Sequence, residues 1–120
     1  SCMGLYPKYQ GTRSGGKGNW FAARDGNRHV VGLSSAVIDK TGACKVDGFA
    51  HHNFGDAWDK LLGSAIDWAK SKDIETIYTM SPMVDEEKIN KFASIGFQKS
   101  GMMSTLDMDG QELVTERMEL

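Results

Sequence analysis

Residues 51–62, HHNFGDAWDKLL, mark the point where the chain changes from strand-like to helical patterning. After Gly55, apolar residues recur at steps of three and four positions: Trp58, Leu61, Leu62, Ala65, Ile66 and Ala69. This spacing predicts a helix over residues 55–72 with one apolar stripe facing a core. The segment has four readings: a metal site, a catalytic pair, an anion-binding turn, or an ordinary helix start. The anion-binding reading is open because the first N–H groups of a helix have no intrahelical partner.

The segments on either side of this helix have the patterning of strands. The stretch WFAARDGNRHVVGLSSAVID (20–39) predicts two strands joined at Asp25-Gly26, and ACKVDGFAHH (43–52) predicts a third, with Gly48 as a bulge. IETIYTM (74–80) predicts a fourth strand, and SPMVDEEKINKFASIGF (81–97) a second helix capped by Ser81 and ended by Gly96. The tail predicts a hairpin around Asp109-Gly110 with a type I′ turn. The predicted order is therefore β-β-β-α-β-α-β-β.

Composition limits the classes of protein that fit. The 120 residues carry a net charge of −2 with both signs interspersed, which supports neither nucleic-acid binding nor attraction to an anionic membrane. The two cysteines, Cys2 and Cys44, form no disulfide framework and no zinc spacing, and no secretory signal is visible. We therefore expect a cytoplasmic protein, with a polar, glycine-rich and loop-like leader at 1–19 and one domain at 20–120.

Two motifs resemble the GCN5-related N-acetyltransferase superfamily. That family has a Q/R-x-x-G-x-G/A turn between its fourth strand and third helix, and the turn maps onto His52, Asn53, Phe54, Gly55, Asp56 and Ala57. The later segment DEEKINKFASIGF (85–97) is similar to the family's N-x-x-A-x-x-F/L-Y-x-x-x-G-F, with Asp85 at the Asn position.

The resemblance implies a fold and a ligand. It implies an α/β (α+β) protein with a mixed sheet, a central antiparallel meander and a parallel strand pair at the cofactor site. Acetyl-CoA would bind with its pyrophosphate on the turn 52–57, where Gly55 lets an anion approach helix N–H groups. Its pantetheine arm would lie between residues 46–51 and 76–81, beside Val46, and Asp85 would reach the cofactor.

Three features depart from the family pattern. Asp56 places a carboxylate beside the expected pyrophosphate, although an acidic residue also suits a first helical turn. Phe92 replaces the tyrosine whose hydroxyl protonates the leaving thiolate in many members, and it also reads as plain helix core. Only 19 residues precede Trp20, too few for the strand and helices that the family has there.

The best candidates for a catalytic base lie on the third strand. Asp47, Phe49 and His51 share one strand face, opposite Val46, Gly48 and Ala50. Asp47 and His51 are the candidate bases, and imidazole titrates closest to neutral pH. Adjacent strand residues point to opposite faces, so His51 and His52 do not converge on a metal, and we expect no metal site.

The leading prediction is an acetyl-CoA-dependent N-acetyltransferase that acts on a primary amine by direct transfer. The alternative is a non-catalytic module with the same fold that binds acyl-CoA or a partner, and a third reading is an unrelated α/β domain with an ordinary helix start. The expected partners are a CoA thioester and an amine acceptor, without nucleic acid or membrane. A second copy of the chain is a further candidate partner.

Overall fold

A computed structural model describes the backbone of residues 4–13 and 16–120 and the side chains of residues 18–120. The elements in chain order are β1 (Gly4–Arg13), β2 (Gly16–Arg24), β3 (Val30–Ile38), β4 (Cys44–Ala50), a 3-10 turn (His52–Phe54), α1 (Gly55–Ser71), β5 (Ile77–Pro82), α2 (Glu86–Ser94), β6 (Gln98–Leu106) and β7 (Glu112–Glu119). The mixed α/β class and the order of the predicted elements are confirmed, with one further strand at the start.

The loop-like leader predicted over 1–19 is wrong where the structure describes it. Gly4–Arg13 form β1, which pairs antiparallel with β2 from Gly4 opposite Arg24 to Arg13 opposite Gly16. The segment is polar and rich in glycine, so it shows no alternation of apolar residues. Its strand character comes instead from backbone hydrogen bonds to β2, which no side-chain pattern reports. Residues 1–3 and 14–15 lie outside the described part, and the single domain over 20–120 stays a prediction.

The chain forms two compact units, Ser1–Ile77 and Tyr78–Leu120. In the first unit, β1 to β4 pair antiparallel in succession, which is the predicted meander with β1 added. Helix α1 lies against β2, β3 and β4. Its buried residues are Ala57, Trp58, Leu61, Leu62, Ala65 and Ala69. The predicted stripe is confirmed except at Ile66, which is only half-buried, and Ala57 extends it by one residue.

Close contact between α1 and the strands beneath it depends on small residues. The Ser34 hydroxyl donates to the carbonyl of Leu61 at 2.8 Å, which ties β3 to the helix. A Cβ on Gly48 would collide with the Leu62 side chain. The predicted bulge at Gly48 is wrong, because β3 and β4 pair in unbroken register from Gly32–Ala50 to Ile38–Cys44. The absence of a side chain at Gly48 therefore lets α1 pack closely against β4.

A hydrogen bond joins the start of β4 to the segment just before β5. The amide of Cys44, the first residue of β4, donates to the carbonyl of Thr76 at 2.9 Å. The bond therefore joins the amino-terminal ends of two strands, the arrangement with which the predicted parallel pair begins.

In the second unit, β7 pairs antiparallel with both β5 and β6. Helix α2 is capped by Asp85, whose Oδ1 accepts from the amide of Lys88 at 3.1 Å. The predicted cap at Ser81 is wrong, because pairing with β7 extends β5 through Pro82. The end of the helix is as predicted, with Gly96 in the left-handed region at φ 102°.

Three hairpin loops share one hydrogen-bond pattern. An aspartate opens each loop, and its carboxylate accepts from the amides two and four residues further on: Asp25, Asp39 and Asp107. The residue three positions after each aspartate has a positive φ: Arg28, Gly42 and Gly110. The last hairpin is therefore present as predicted, but the type I′ turn is wrong. The loop is a three-residue connection with a left-handed third residue.

Candidate functional site

The site begins where β4 passes into α1. The amide of His51 donates to the carbonyl of Val31 at 2.8 Å, which keeps the chain on the sheet one residue past β4. The amide of Phe54 then donates to the carbonyl of His51 at 2.8 Å and closes the 3-10 turn. Helix α1 starts at Gly55, as the sequence predicts. The turn mapped onto residues 52–57 therefore spans the 3-10 turn and the first residues of α1.

The amino-terminal end of α1 has no side-chain cap. Its N-cap residue is Phe54, with φ −130° and ψ 48°, and no side chain there bonds a helix amide. The Phe54 ring packs against the cluster that contains Val31 and Leu61. A phenyl ring offers no acceptor, so the first amides of α1 keep their capacity to bind an external anion, next to the positive end of the helix dipole.

Gly55 is not needed by the protein's own structure. Its φ of −54° and ψ of −33° are helical values that any residue adopts. A Cβ added there would meet nothing within 4 Å. The surface in front of Gly55 is therefore open, and an anion can approach the backbone there without displacing a side chain.

Asp56 and Ala57 follow Gly55 in the first turn of α1. Asp56 is exposed, so its carboxylate lies in solvent and is not buried among the turn amides. Ala57 is fully buried against Val31 and Leu61, so its small side chain packs into the core beneath the turn. The predicted conflict between Asp56 and a bound phosphate is reduced by this exposure, because water screens the charge.

The two histidines form a stacked pair at the entrance to the turn. The ring centroids of His51 and His52 are 4.2 Å apart, and both side chains are exposed. His51 Nδ1 accepts from the amide of Asn53 at 3.3 Å, so His51 caps the 3-10 turn. In the neutral ring this leaves the proton on Nε2, which therefore points a donor away from the turn. The sequence does not predict this capping role, because histidine is not among the usual cap residues.

Asp47 lies on the face of the sheet opposite α1. Its Oδ1 accepts from the amide of Gly48 at 2.8 Å, and the residue is half-buried. The strand pairings place Trp20, Ser35 and Asp47 side by side on β2, β3 and β4. The exposed apolar side chains of Leu33 and Phe49 form the neighbouring row. Asp47 is thus a carboxylate bordered by apolar and aromatic groups, and those neighbours were not among the predicted site residues.

The resemblance predicts that Val46 and Asp85 lie at the cofactor. Val46 is fully buried on the α1 side of the sheet, backbone and side chain alike. Asp85 belongs to the second unit, and one of its carboxylate oxygens caps α2. A role for either residue in cofactor binding stays a prediction.

Phe92 and Cys44 belong to the core. Phe92 is fully buried, and its ring meets that of Phe97 edge-on with centroids 5.0 Å apart. Burial raises the pKa of the Cys44 thiol to about 11, so at neutral pH this cysteine is protonated and unsuited to nucleophilic attack.

The described residues include neither a cluster of metal ligands nor a helix that could span a membrane. Across residues 18–120, no three His, Cys, Asp or Glu side chains lie together as a metal would require. In the part of the chain that the structure covers, no helix combines the length and apolar character needed to cross a bilayer.

Solved structures identify the fold. The chain matches the spermidine/spermine N-acetyltransferase SpeG from Vibrio cholerae with a TM-score of 0.71 and 17% identity, over 86% of this chain and 64% of that one. It matches the ribosomal-protein-alanine N-acetyltransferase from Brucella melitensis with a TM-score of 0.74 and 17% identity, over 86% of this chain and 68% of that one. The chain has the GCN5-related N-acetyltransferase fold. No family model and no curated protein sequence match it.

One departure from the family pattern concerns the length of the chain before β2. The chain spans less than two thirds of the length of SpeG. The resemblance predicted that the first strand of an N-acetyltransferase would be absent along with the helices after it. In the described part of the chain, β1 pairs antiparallel with β2, and two residues separate Arg13 from Gly16.

Proposed function

We propose that the protein is an acetyl-CoA-dependent N-acetyltransferase that transfers acetyl directly to a primary amine. The observation that carries this proposal is the uncapped first turn of α1, with open space at Gly55, in a chain with the N-acetyltransferase fold. SpeG and the Brucella protein are N-acetyltransferases by name, which supports the same reaction class here.

The residues present fit coenzyme A. The backbone amides at the exposed residues Gly55 and Asp56 would hold the pyrophosphate, because no side chain caps them and they lie at the positive end of a 17-residue helix. His52 and Asn53, both exposed on the preceding turn, add polar donors at the same end. The pantetheine arm would lie beside β4, and the thioester would supply the acetyl group.

Asp47 is the stronger of the two candidate bases. The Nδ1 lone pair of His51 is occupied by the amide of Asn53, so the neutral ring has no free acceptor. Asp47 carries a carboxylate, whose two oxygens can accept a proton as well as the hydrogen bond from the Gly48 amide. We therefore assign Asp47 the task of taking the proton from the acceptor ammonium, and His51 that of ordering the turn. Phe92 carries no acidic hydrogen, so solvent would protonate the departing thiolate.

A matched pair of glycine variants tests the cofactor site. Gly55→Leu fills the space in front of the turn, and we expect CoA binding measured by calorimetry to fall at least about tenfold, which is about 1.4 kcal/mol. Gly63→Leu is the control, because Gly63 lies in the same helix and a Cβ there also meets nothing within 4 Å. Equal affinity in both variants and the parent would show that the pyrophosphate does not sit on this turn.

A second function, a non-catalytic CoA-binding module, is favoured by one observation. The position where the family pattern has a tyrosine holds the fully buried Phe92. Thiol release from acetyl-CoA with a panel of primary amines separates the two functions. The transferase should release thiol, and Asp47→Asn should lower the rate while leaving CoA affinity unchanged. CoA binding without thiol release from any amine would favour the module.

A further inference from the structure

The sheet of the first unit carries exposed apolar side chains on the face opposite α1. On β2, β3 and β4, the exposed fractions of Trp20, Leu33, Val37 and Phe49 are 40%, 39%, 38% and 69%. The strand pairings arrange this face in three successive rows: Gly18, Val37 and Lys45; Trp20, Ser35 and Asp47; Ala22, Leu33 and Phe49. The row that contains Asp47 therefore lies between a row with a lysine and a row with two exposed apolar side chains.

Charge on this face is sparse. Asp47 is the only acidic residue in the described parts of β2, β3 and β4. Asp25 and Asp39 lie in the loops at the strand ends, where their carboxylates accept from amides of their own loops. Lys45 is exposed and lies on the same side of β4 as Asp47, about 7 Å away along the strand. The face therefore offers one negative charge, with a positive charge on one side of it and apolar surface on the other.

We propose that this face selects, as the acceptor, a primary monoamine whose ammonium is joined by a short linker to a compact apolar or aromatic group. This acceptor class rests on the proposed N-acetyltransferase function. The ammonium would contact the carboxylate of Asp47, and the apolar group would lie on Leu33 and Phe49. Successive rows of a strand face are about 7 Å apart, a distance that a linker of two or three carbon atoms and the attached group can span.

The charge pattern disfavours a polyamine. A diamine brings two ammonium groups, and each gains most from a carboxylate of its own. In the described part of this face, the second ammonium would meet Lys45, which repels it, or apolar side chains, which give it no acceptor. An apolar substituent instead removes the surfaces of Leu33 and Phe49 from water, which is favourable in proportion to the area covered. SpeG is named for spermidine and spermine, so this chain would share its fold but not its class of acceptor.

Thiol release from acetyl-CoA with different primary amines tests the acceptor class on the full chain. Phenethylamine should give a kcat/KM at least about tenfold above that of ethylamine, because its ring covers apolar surface on the protein. Putrescine, a diamine, should be no better than ethylamine despite its larger size. Equal values for phenethylamine and ethylamine, or a preference for putrescine, would overturn the proposal while leaving the transferase function in place.

Two variants of one strand locate the apolar group. Leu33→Thr and Val37→Thr change side chains of nearly equal exposure, 39% and 38%, on either side of Ser35 in β3. Leu33→Thr should lower the preference for phenethylamine over ethylamine at least about threefold, because it removes apolar surface beside Phe49. Val37→Thr is the control in the row of Lys45 and should keep the preference. The ratio of two kcat/KM values cancels any loss of folded protein, and equal ratios in the two variants would contradict the assigned position.

A charge variant tests the role of Lys45. Lys45→Gln removes the positive charge beside Asp47, and kcat/KM for putrescine relative to ethylamine should rise at least about threefold. Lys40→Gln is the control, because Lys40 is exposed and lies in the loop between β3 and β4. The same small change in both variants would show that Lys45 does not exclude a second ammonium.

Binding measured without turnover separates the acceptor class from the reaction. With CoA present, phenethylamine should shift the NMR signals of the amides near Leu33 and Phe49 more than ethylamine does. Amine binding there without thiol release would refute the transferase function and keep this face as a site for an apolar amine. Thiol release without shifts at those amides would keep the transferase function and overturn the proposed acceptor site. Absence of both would overturn both.

Discussion

At the scale of single residues, glycines that look alike in the sequence have different roles. A Cβ on Gly32 would lie 2.7 Å from Leu61 Cδ1 and 2.9 Å from the backbone oxygen of Phe49. A Cβ on Gly63 would meet nothing within 4 Å. Contact distances of this kind arise only when β3, β4 and α1 have assembled, so the sequence could not distinguish the two positions.

These two glycines give opposite predictions. Gly32→Ala should lower the free energy of unfolding by about 1–3 kcal/mol, because a backbone oxygen cannot move aside as a flexible side chain can. Gly63→Ala should raise it by about 0.5–1 kcal/mol, because alanine is favoured over glycine inside a helix. Urea unfolding of both variants beside the parent measures this. A stabilised Gly32→Ala protein would contradict the assigned contact of β3 with α1.

Phe92 shows how a family motif and the core of this chain conflict. Restoring the family residue with Phe92→Tyr would add a hydroxyl to a side chain with no exposed surface. A buried hydroxyl without a partner costs about 1–3 kcal/mol. We expect urea unfolding to report that loss and thiol-release assays to report no gain in rate. A faster enzyme of unchanged stability would show that position 92 reaches the reacting thiolate.

At the scale of elements, periodicity predicted the helices better than their first residues. The apolar stripe of α1 gave its bounds to within one residue, because every turn of that helix is buried on one side. The start of α2 was placed at Ser81-Pro82, which have the local chemistry of a cap and a first turn. Pairing with β7 keeps both residues in β5, and Asp85 caps the helix instead. A long-range strand pair therefore overrode a local signal.

The hairpin loops were predicted in place but not in conformation. The motif Asp-Gly-Asn at residues 25–27 predicted a hairpin, and the left-handed residue of its loop is Arg28, with φ 66°. The other two loops place Gly42 and Gly110 at the equivalent position. In each loop, the left-handed residue lies three positions after the aspartate whose carboxylate accepts hydrogen bonds from the loop amides. Counting from that aspartate would have located all three left-handed residues.

The strain at Arg28 gives a prediction for this loop. Arg28→Gly should raise the free energy of unfolding by up to about 1 kcal/mol, because relief of the left-handed penalty exceeds the entropy gained by the unfolded chain. The bond from the Arg24 guanidinium to the carbonyl of residue 28, 2.9 Å long, uses the backbone and is retained. Asn27→Gly is the control and should destabilise, since residue 27 has no positive φ. Thermal unfolding of the pair measures the difference, and two equal shifts would contradict it.

At the scale of the whole molecule, the sequence predicted the class and order of elements but not its first strand. The order from β2 to β7 followed from alternation, helical spacing and turn residues. Strand β1 has none of these signals, and its place beside β2 rests on backbone bonds. The turn before α1 was found by resemblance and by helix physics together. The capping role of His51 and the apolar border of Asp47 depend on neighbours from other strands, which one chain segment cannot show.

Ligand-linked stability tests whether the turn acts as an anion site in the folded protein. A ligand that binds only the folded state at 100 times its dissociation constant stabilises by about 2.7 kcal/mol. CoA should therefore raise the unfolding temperature, and ADP, which carries a pyrophosphate but no pantetheine, should raise it by less. Pantetheine alone should have the smallest effect, because it lacks the groups that the amides at Gly55 and Asp56 bind. Gly55→Leu should lower the shifts with CoA and ADP by about half or more, while Gly63→Leu keeps them. If pantetheine stabilised the protein as strongly as CoA, the affinity would reside on the strand side of the site, and the first turn of α1 would be an ordinary helix start.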